Sequence, residues 1–150
     1  EELITSVELT FTNTTDDSDV RVFKFSDPDG AGGNAPEITD TIQLRATSTY
    51  DLVVRFLDES DPSSVENITE EVIEEANEHR VCYIIPGDVT VRITDTDNQG
   101  LDLGLQAVVT TFDSENTSLL VQLKHQPEVK DGTCEPGETD VEVLFQTVIK

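Results

Sequence analysis

The chain has 150 residues, 35% of them hydrophobic, with neither Met nor Trp, and its 16 Asp and 16 Glu against 4 Lys and 5 Arg set a net charge of −23. A length of this order points to one domain that buries roughly 70% of the unfolded chain's surface, enough for a hydrophobic core. The charge excludes nucleic-acid binding through a basic footprint and electrostatic attachment to anionic lipid; no apolar run approaches the ~20 residues of a membrane span, and no signal peptide is present, so any targeting segment is expected to have been removed.

The acidity does not imply disorder, because Val (17), Thr (19) and Ile (9) supply 45 of the 150 residues, and β-branched residues favour strands. Apolar and polar residues exchange places strictly in Val7-Glu8-Leu9-Thr10-Phe11-Thr12, as a half-buried strand requires. The run from Val20 to Phe25 changes parity between Val22 and Phe23, which predicts a bulge or burial on both faces. Alternation returns in Thr41 to Ala46 and Asp51 to Phe56. From Ser64 to His79 the pattern switches: Ile68, Val72, Ile73 and Ala76 recur at helical spacing, and six Glu cover the rest. This predicts one amphipathic helix over about 65–79, started by Asn67 or Thr69, lying over an end or edge of the strands. Val81 to Ile85 is continuously apolar and reads as a central strand. Val89 to Thr94, Leu105 to Phe112, Leu119 to His125 and Val141 to Ile149 complete nine candidate strands. Asp/Gly/Pro-rich turns separate them, at Asp27 to Asn34, Ile85 to Asp88, Asp95 to Gly100 and Asp131 to Gly137. Many short strands with such turns predict an all-β, immunoglobulin-like sandwich of about nine strands, with one inserted helix.

Four constellations can carry chemistry. Cys82 and Cys134 are far apart and form no CxxC pair; an even count in an exported sandwich favours a disulfide over free thiols or metal ligands. The only two histidines each end an element, His79 the acidic helix and His125 a strand in which it shares parity with Leu119, Val121 and Leu123. If those ends meet, His79 and His125 with Glu75 or Glu78 offer imidazole and oxygen ligands suited to zinc or copper. Asp27-x-Asp29-Gly30-x-Gly32 and Asp95-x-Asp97-x-Gln99-Gly100 place carboxylates as calcium loops do. Neither is a full EF-hand, since the twelfth positions hold Ile38 and Gln106. The Glu-rich helix is either a solvated face or a surface that attracts cations. Sequons at Asn13, Asn67 and Asn116 are a common accident in a Thr-rich chain. No GxSxG, HExxH, P-loop or GxGxxG occurs, so an enzyme is not expected, with a small hydrolase as the residual possibility.

Several segments resemble a family of small exported lipoproteins from Bacteroidetes, often labelled a type 1 periplasmic-binding-fold superfamily. They are the opening Glu1-Glu2-Leu3-Ile4-Thr5-Ser6-Val7-Glu8-Leu9-Thr10, the loop Asp27 to Pro36, Asn67 to Glu71 with Glu78-His79, Leu123 to Pro127, and Gly137 to Val141. The resemblance implies a lipid-modified cysteine upstream of Glu1, outer-membrane attachment at the periplasmic face or the cell surface, and association with TonB-dependent receptors. The label's fold is not expected, because it needs alternating strands and helices over roughly twice the length. The cysteines depart from the family's pattern, which favours a disulfide local to this protein. The functional expectation is a non-enzymatic, lipid-anchored accessory protein partnering a TonB-dependent receptor in ligand or metal uptake. The alternative is a structural or adhesive surface domain stiffened by calcium.

Overall fold

The computed structural model describes residues 3–29, 33 and 35–150. Its strands are, in chain order, β1 (Ser6–Asn13), β2 (Asp16–Ser26), β3 (Ile38–Thr39), β4 (Ile42–Leu44), β5 (Thr49–Asp58), β6 (Glu66–Asn67), β7 (His79–Ile84), β8 (Thr90–Ile93), β9 (Gln106–Thr110), β10 (Glu115–His125) and β11 (Glu138–Ile149). One helix, α1 (Ile68–Glu74), and a 3₁₀ turn at Ala76–Glu78 lie between β6 and β7. The nine expected strands are all present among the described residues, and the two-residue β3 and β6 are added to them.

The strands form two sheets packed as an all-β sandwich. The larger runs β3-β2-β1-β5-β9-β8, with β6 beside β5; the smaller runs β4-β11-β10-β7. All pairs are antiparallel except β4 with β11. Strict alternation sets the register, because a slip by one residue would turn the apolar set out to water. Val7 lies between Phe25 and Phe56, and Leu9 between Phe23 and Val54. On the smaller sheet Val121 lies between Val143 and Tyr83, and Leu123 between Val141 and Val81. These rows meet in one core that includes Phe11, Tyr50, Phe56 and Phe145, each at most 1% exposed. Burying one such ring stabilises by roughly 1.5–3 kcal/mol. Phe11 packs edge-on against Tyr50 at 6.2 Å, and the Tyr50 hydroxyl reaches the rim, where it accepts the Arg45 N–H and donates to Asp19.

Three local expectations are corrected. The parity change near Val22 is not a bulge: β2 pairs with β1 without interruption from Ser26 to Val20. Phe23 and Phe25 face the core, whereas Val20 and Val22 are simply exposed on the outer face. β7 is an edge strand, not a central one. Its continuous apolarity has another cause: Val81 is buried in the core, while Cys82 is buried and bonded to Cys134 in the loop after β10. The helix is shorter than expected, 7 residues, and only Ile68, Val72 and Ala76 of its apolar set are buried; Ile73 is exposed. Such a helix is too short to stand alone. The Asn67 side chain caps it by accepting the Thr69 N–H, and the Thr69 hydroxyl clips it to β5 by accepting the Phe56 N–H at 2.8 Å. Thus Asn67 is structural, and Asn13 is buried with its amide on Asp19, whereas Asn116 is exposed.

The disulfide joins Cys82 to Cys134, with Cα atoms 6.3 Å apart. It fastens the 126–137 loop over the end of the sandwich where α1 sits. Gln126, fully buried, ties that loop to itself by donating to the Thr133 and Pro136 carbonyls. Gly137 must be glycine there: its φ is +83°, and a Cβ would sit 2.1 Å from the His125 carbonyl oxygen. No helix among the described residues is long and apolar enough to cross a membrane.

Candidate metal centre

Strand register brings the two histidines together. β10 and β7 pair antiparallel so that His125 stands opposite His79, continuing the core-facing row of Leu123 and Val81. The rings stack with centroids 4.9 Å apart and planes 18° from parallel. His79 is buried and His125 half-buried. Glu75, the residue that closes α1, lies four residues before His79, and its carbonyl oxygen is 3.1 Å from His79 Nδ1. A ring nitrogen that donates to a carbonyl fixes the tautomer and leaves Nε2 with its lone pair. One ligand atom from each of Glu75, His79 and His125 lies within 4.8 Å of the others.

A fourth group joins from β11. The β10–β11 register shifts between Leu123 and Lys124: Leu123 faces Val141, but Lys124 faces Thr139. Asp140 is therefore the extra residue of a bulge, a device that re-aims a side chain. Its carboxylate is 5% exposed and its Oδ2 lies 3.9 Å from His79 Nε2. Sequence reasoning missed Asp140. Neighbouring strand residues share no signal of a bulge, and by alternation Asp140 belongs with the outward Glu142 and Leu144.

The donor set fits zinc or copper in kind: two imidazoles with carboxylates are borderline ligands. It fits in distance after a small closure. Tetrahedral zinc bonds of about 2.0–2.2 Å place donors ~3.4 Å apart, inside the present 4.8 Å limit. A metal must also lie in the plane of each imidazole it binds. The two nearly parallel rings do not share such a point, so one must turn out of the stack. His125 is the ring with room to do so, because His79 is buried and its Nδ1 is held.

The other expected ligands have different work. Glu78 lies outside the cluster, and its carbonyl accepts the Gln126 N–H at 2.6 Å. In the Asp95–Gly100 segment, the expected calcium alternative, chain donors already meet the carboxylates. Asp95 accepts the Gly104 and Leu105 N–H groups at 2.9 and 3.1 Å. Asp97 accepts the Gln99 and Leu101 N–H groups on Oδ1 and the Lys130 ammonium on Oδ2 at 2.8 Å. Lys130 and Asp97 side chains are 2% and 0% exposed, and Lys130 also donates to the Ala76 carbonyl. Burial pushes the Asp97 carboxyl up, but Lys130 and the two N–H donors together hold it below its ordinary value. Donors pointing at these oxygens compete with a cation for their lone pairs. Asp27, at the end of β2, is buried and its N–H donates to the Thr5 carbonyl; Asp29 follows it, and Gly30 and Gly32 of that expected loop lie outside the described residues. Cys82 and Cys134, being bonded to each other, are not ligands.

Fold and cluster together define an all-β sandwich with a histidine–carboxylate centre at one end. Comparison with protein-family models, with curated proteins and with solved structures finds no match to this chain.

Proposed function

We propose that this protein is a non-enzymatic binding domain that holds one zinc ion between Glu75, His79 and His125, with copper as the competing ion. The observation that carries the proposal is the convergence of the chain's only two histidines with a carboxylate. One imidazole is buried and oriented through its Nδ1, the arrangement that leaves a second nitrogen free for metal. The net charge of −23 concentrates cations around the molecule. The disulfide supports an oxidising, extracytoplasmic location. The resemblance to Bacteroidetes lipoproteins supports a lipid-anchored position at an outer membrane, beside a TonB-dependent receptor whose cargo would be the metal or a metal-bearing ligand.

Calorimetric titration of the chelator-treated protein with zinc, and separately with copper, tests the centre. The expected result is one tight site, lost in His79→Ala, weakened at least about tenfold in His125→Ala, and unchanged in Glu78→Gln. Equal uptake by wild type and both histidine variants would assign the ions to scattered surface carboxylates and overturn the proposal. A native-membrane pull-down tests the receptor: recovery of a TonB-dependent receptor is expected, and its absence counts against that partner.

A further inference from the structure

At the opposite end of β10 from His125, a cleft of about 270 Å³ opens between the β4–β5 turn, the start of β2 and the segment after β9. Its walls are Thr15, Thr47, Ser48, Thr49, Thr110 and Thr111, and Phe112 stands with them. In a chain of which 27% is charged, no ionisable group among the described residues lines this cleft. That favours an uncharged ligand over a metal ion. Thr49 and Thr110 face each other across the β5–β9 pair. The other hydroxyls are already committed, Thr111 to the Arg45 and Ser48 carbonyls, Ser48 to the Ala46 carbonyl and Thr15 to Asn13. Among the described residues the Thr49 and Thr110 hydroxyls make no such bond, and each offers one donor and two acceptor lone pairs.

Phe112 is 45% exposed, and its backbone is held from behind. Its carbonyl accepts the Thr47 N–H at 2.8 Å and the Thr47 hydroxyl at 3.4 Å. To deliver both, Thr47 adopts φ +51°, a strained conformation for a β-branched residue that persists only where its surroundings enforce it. An exposed aromatic face beside these two hydroxyls in an uncharged cleft is complementary to a sugar ring. The apolar C–H face of the sugar covers the electron-rich ring, and its hydroxyls exchange hydrogen bonds with Thr49 and Thr110. The volume lies just under the ~300–1,000 Å³ of typical small-molecule sites, so it takes one ring of a longer chain. We propose that this cleft binds one pyranose unit of a neutral oligosaccharide, independently of the metal centre.

Amide chemical-shift titration with maltohexaose, cellohexaose, mannohexaose and xylohexaose, each at millimolar concentration, tests this. At least one is expected to move the Thr49, Thr110 and Phe112 amides. Phe112→Ala weakens that binding at least about tenfold, and Phe112→Tyr, which keeps the aromatic face, restores it. Phe112 is exposed, so its variants are expected to melt with the wild type, which the same samples check. No shift with any of the four, shifts confined to other residues, or equal binding by Phe112→Ala would overturn the proposal.

Discussion

Two polar clusters lie side by side at the helix end of the sandwich, and they differ in which way their lone pairs face. The Asn98 N–H donates to the Asn77 side chain, and Lys130 joins the Ala76 carbonyl to Asp97, so both belong to one packed region. Around Asp95 and Asp97 the chain supplies donors to the carboxylate oxygens, and those acids close a turn. Around His79 and His125 the Nδ1 of His79 meets the Glu75 carbonyl, and imidazole and carboxylate ligand atoms converge. The difference teaches that acidic residues at loop-like spacing do not by themselves make a cation site. The test is whether the fold has already met their oxygens with N–H and ammonium groups.

That contrast breaks most sharply at Lys130. Lys130→Ala leaves the Asp97 carboxylate buried with its charge unpaired, and removing one partner of such a pair costs about 3–5 kcal/mol; chemical denaturation is expected to show a loss of that size. Histidine substitutions at the centre should not approach it in metal-free protein. The disulfide comes next. Replacing Cys82 and Cys134 by Ser frees a loop of sequence separation 52, and removing such a cross-link costs roughly 2–4 kcal/mol, read as a lower denaturant midpoint.

Acidity sharpens the comparison further. Asp97 sits below its ordinary 3.8, as does Asp19 beside Arg21, and Glu59 beside Lys24 sits below its ordinary 4.5. For a carboxyl lowered in the folded state, the stabilisation is complete above the ordinary value and is lost as pH falls through the folded one. Unfolding free energy should therefore hold steady from neutrality down to about pH 5 and decline below about pH 4. Zinc affinity should also decline on acidification, because protons compete for the ligands. The smallest effect belongs to the helix cap: Asn67→Ala removes the bond to the Thr69 N–H and is expected to cost about 1 kcal/mol.

Strict alternation made the sandwich legible in the sequence, from Val7 to Thr12 through Val141 to Ile149, because a sheet with one wet face permits no other pattern. β7 misled, since an edge strand covered by a disulfide-linked loop buries Cys82 as thoroughly as a central strand would. The helix was overextended because Glu-rich periodicity continues past Glu74, whereas the backbone leaves helical geometry at Glu75 (φ −104°, ψ 37°). The pairing of His79 with His125 was open to expectation because each ends an element. Asp140 was not, because a bulge reverses the face of a side chain without changing the residues around it. The Asp95–Asp97 loop resembled a calcium site because carboxylate spacing is visible in a sequence and the distant Lys130 that neutralises it is not.

The most direct test of the metal centre is X-ray absorption at the zinc edge of protein loaded with one equivalent of zinc. The expected spectrum carries the multiple-scattering signature of two imidazoles, with nitrogen and oxygen neighbours at about 2.0–2.2 Å, and loses one imidazole in His125→Ala. A shell of oxygen alone in the wild type would contradict the account and return the ion to surface carboxylates.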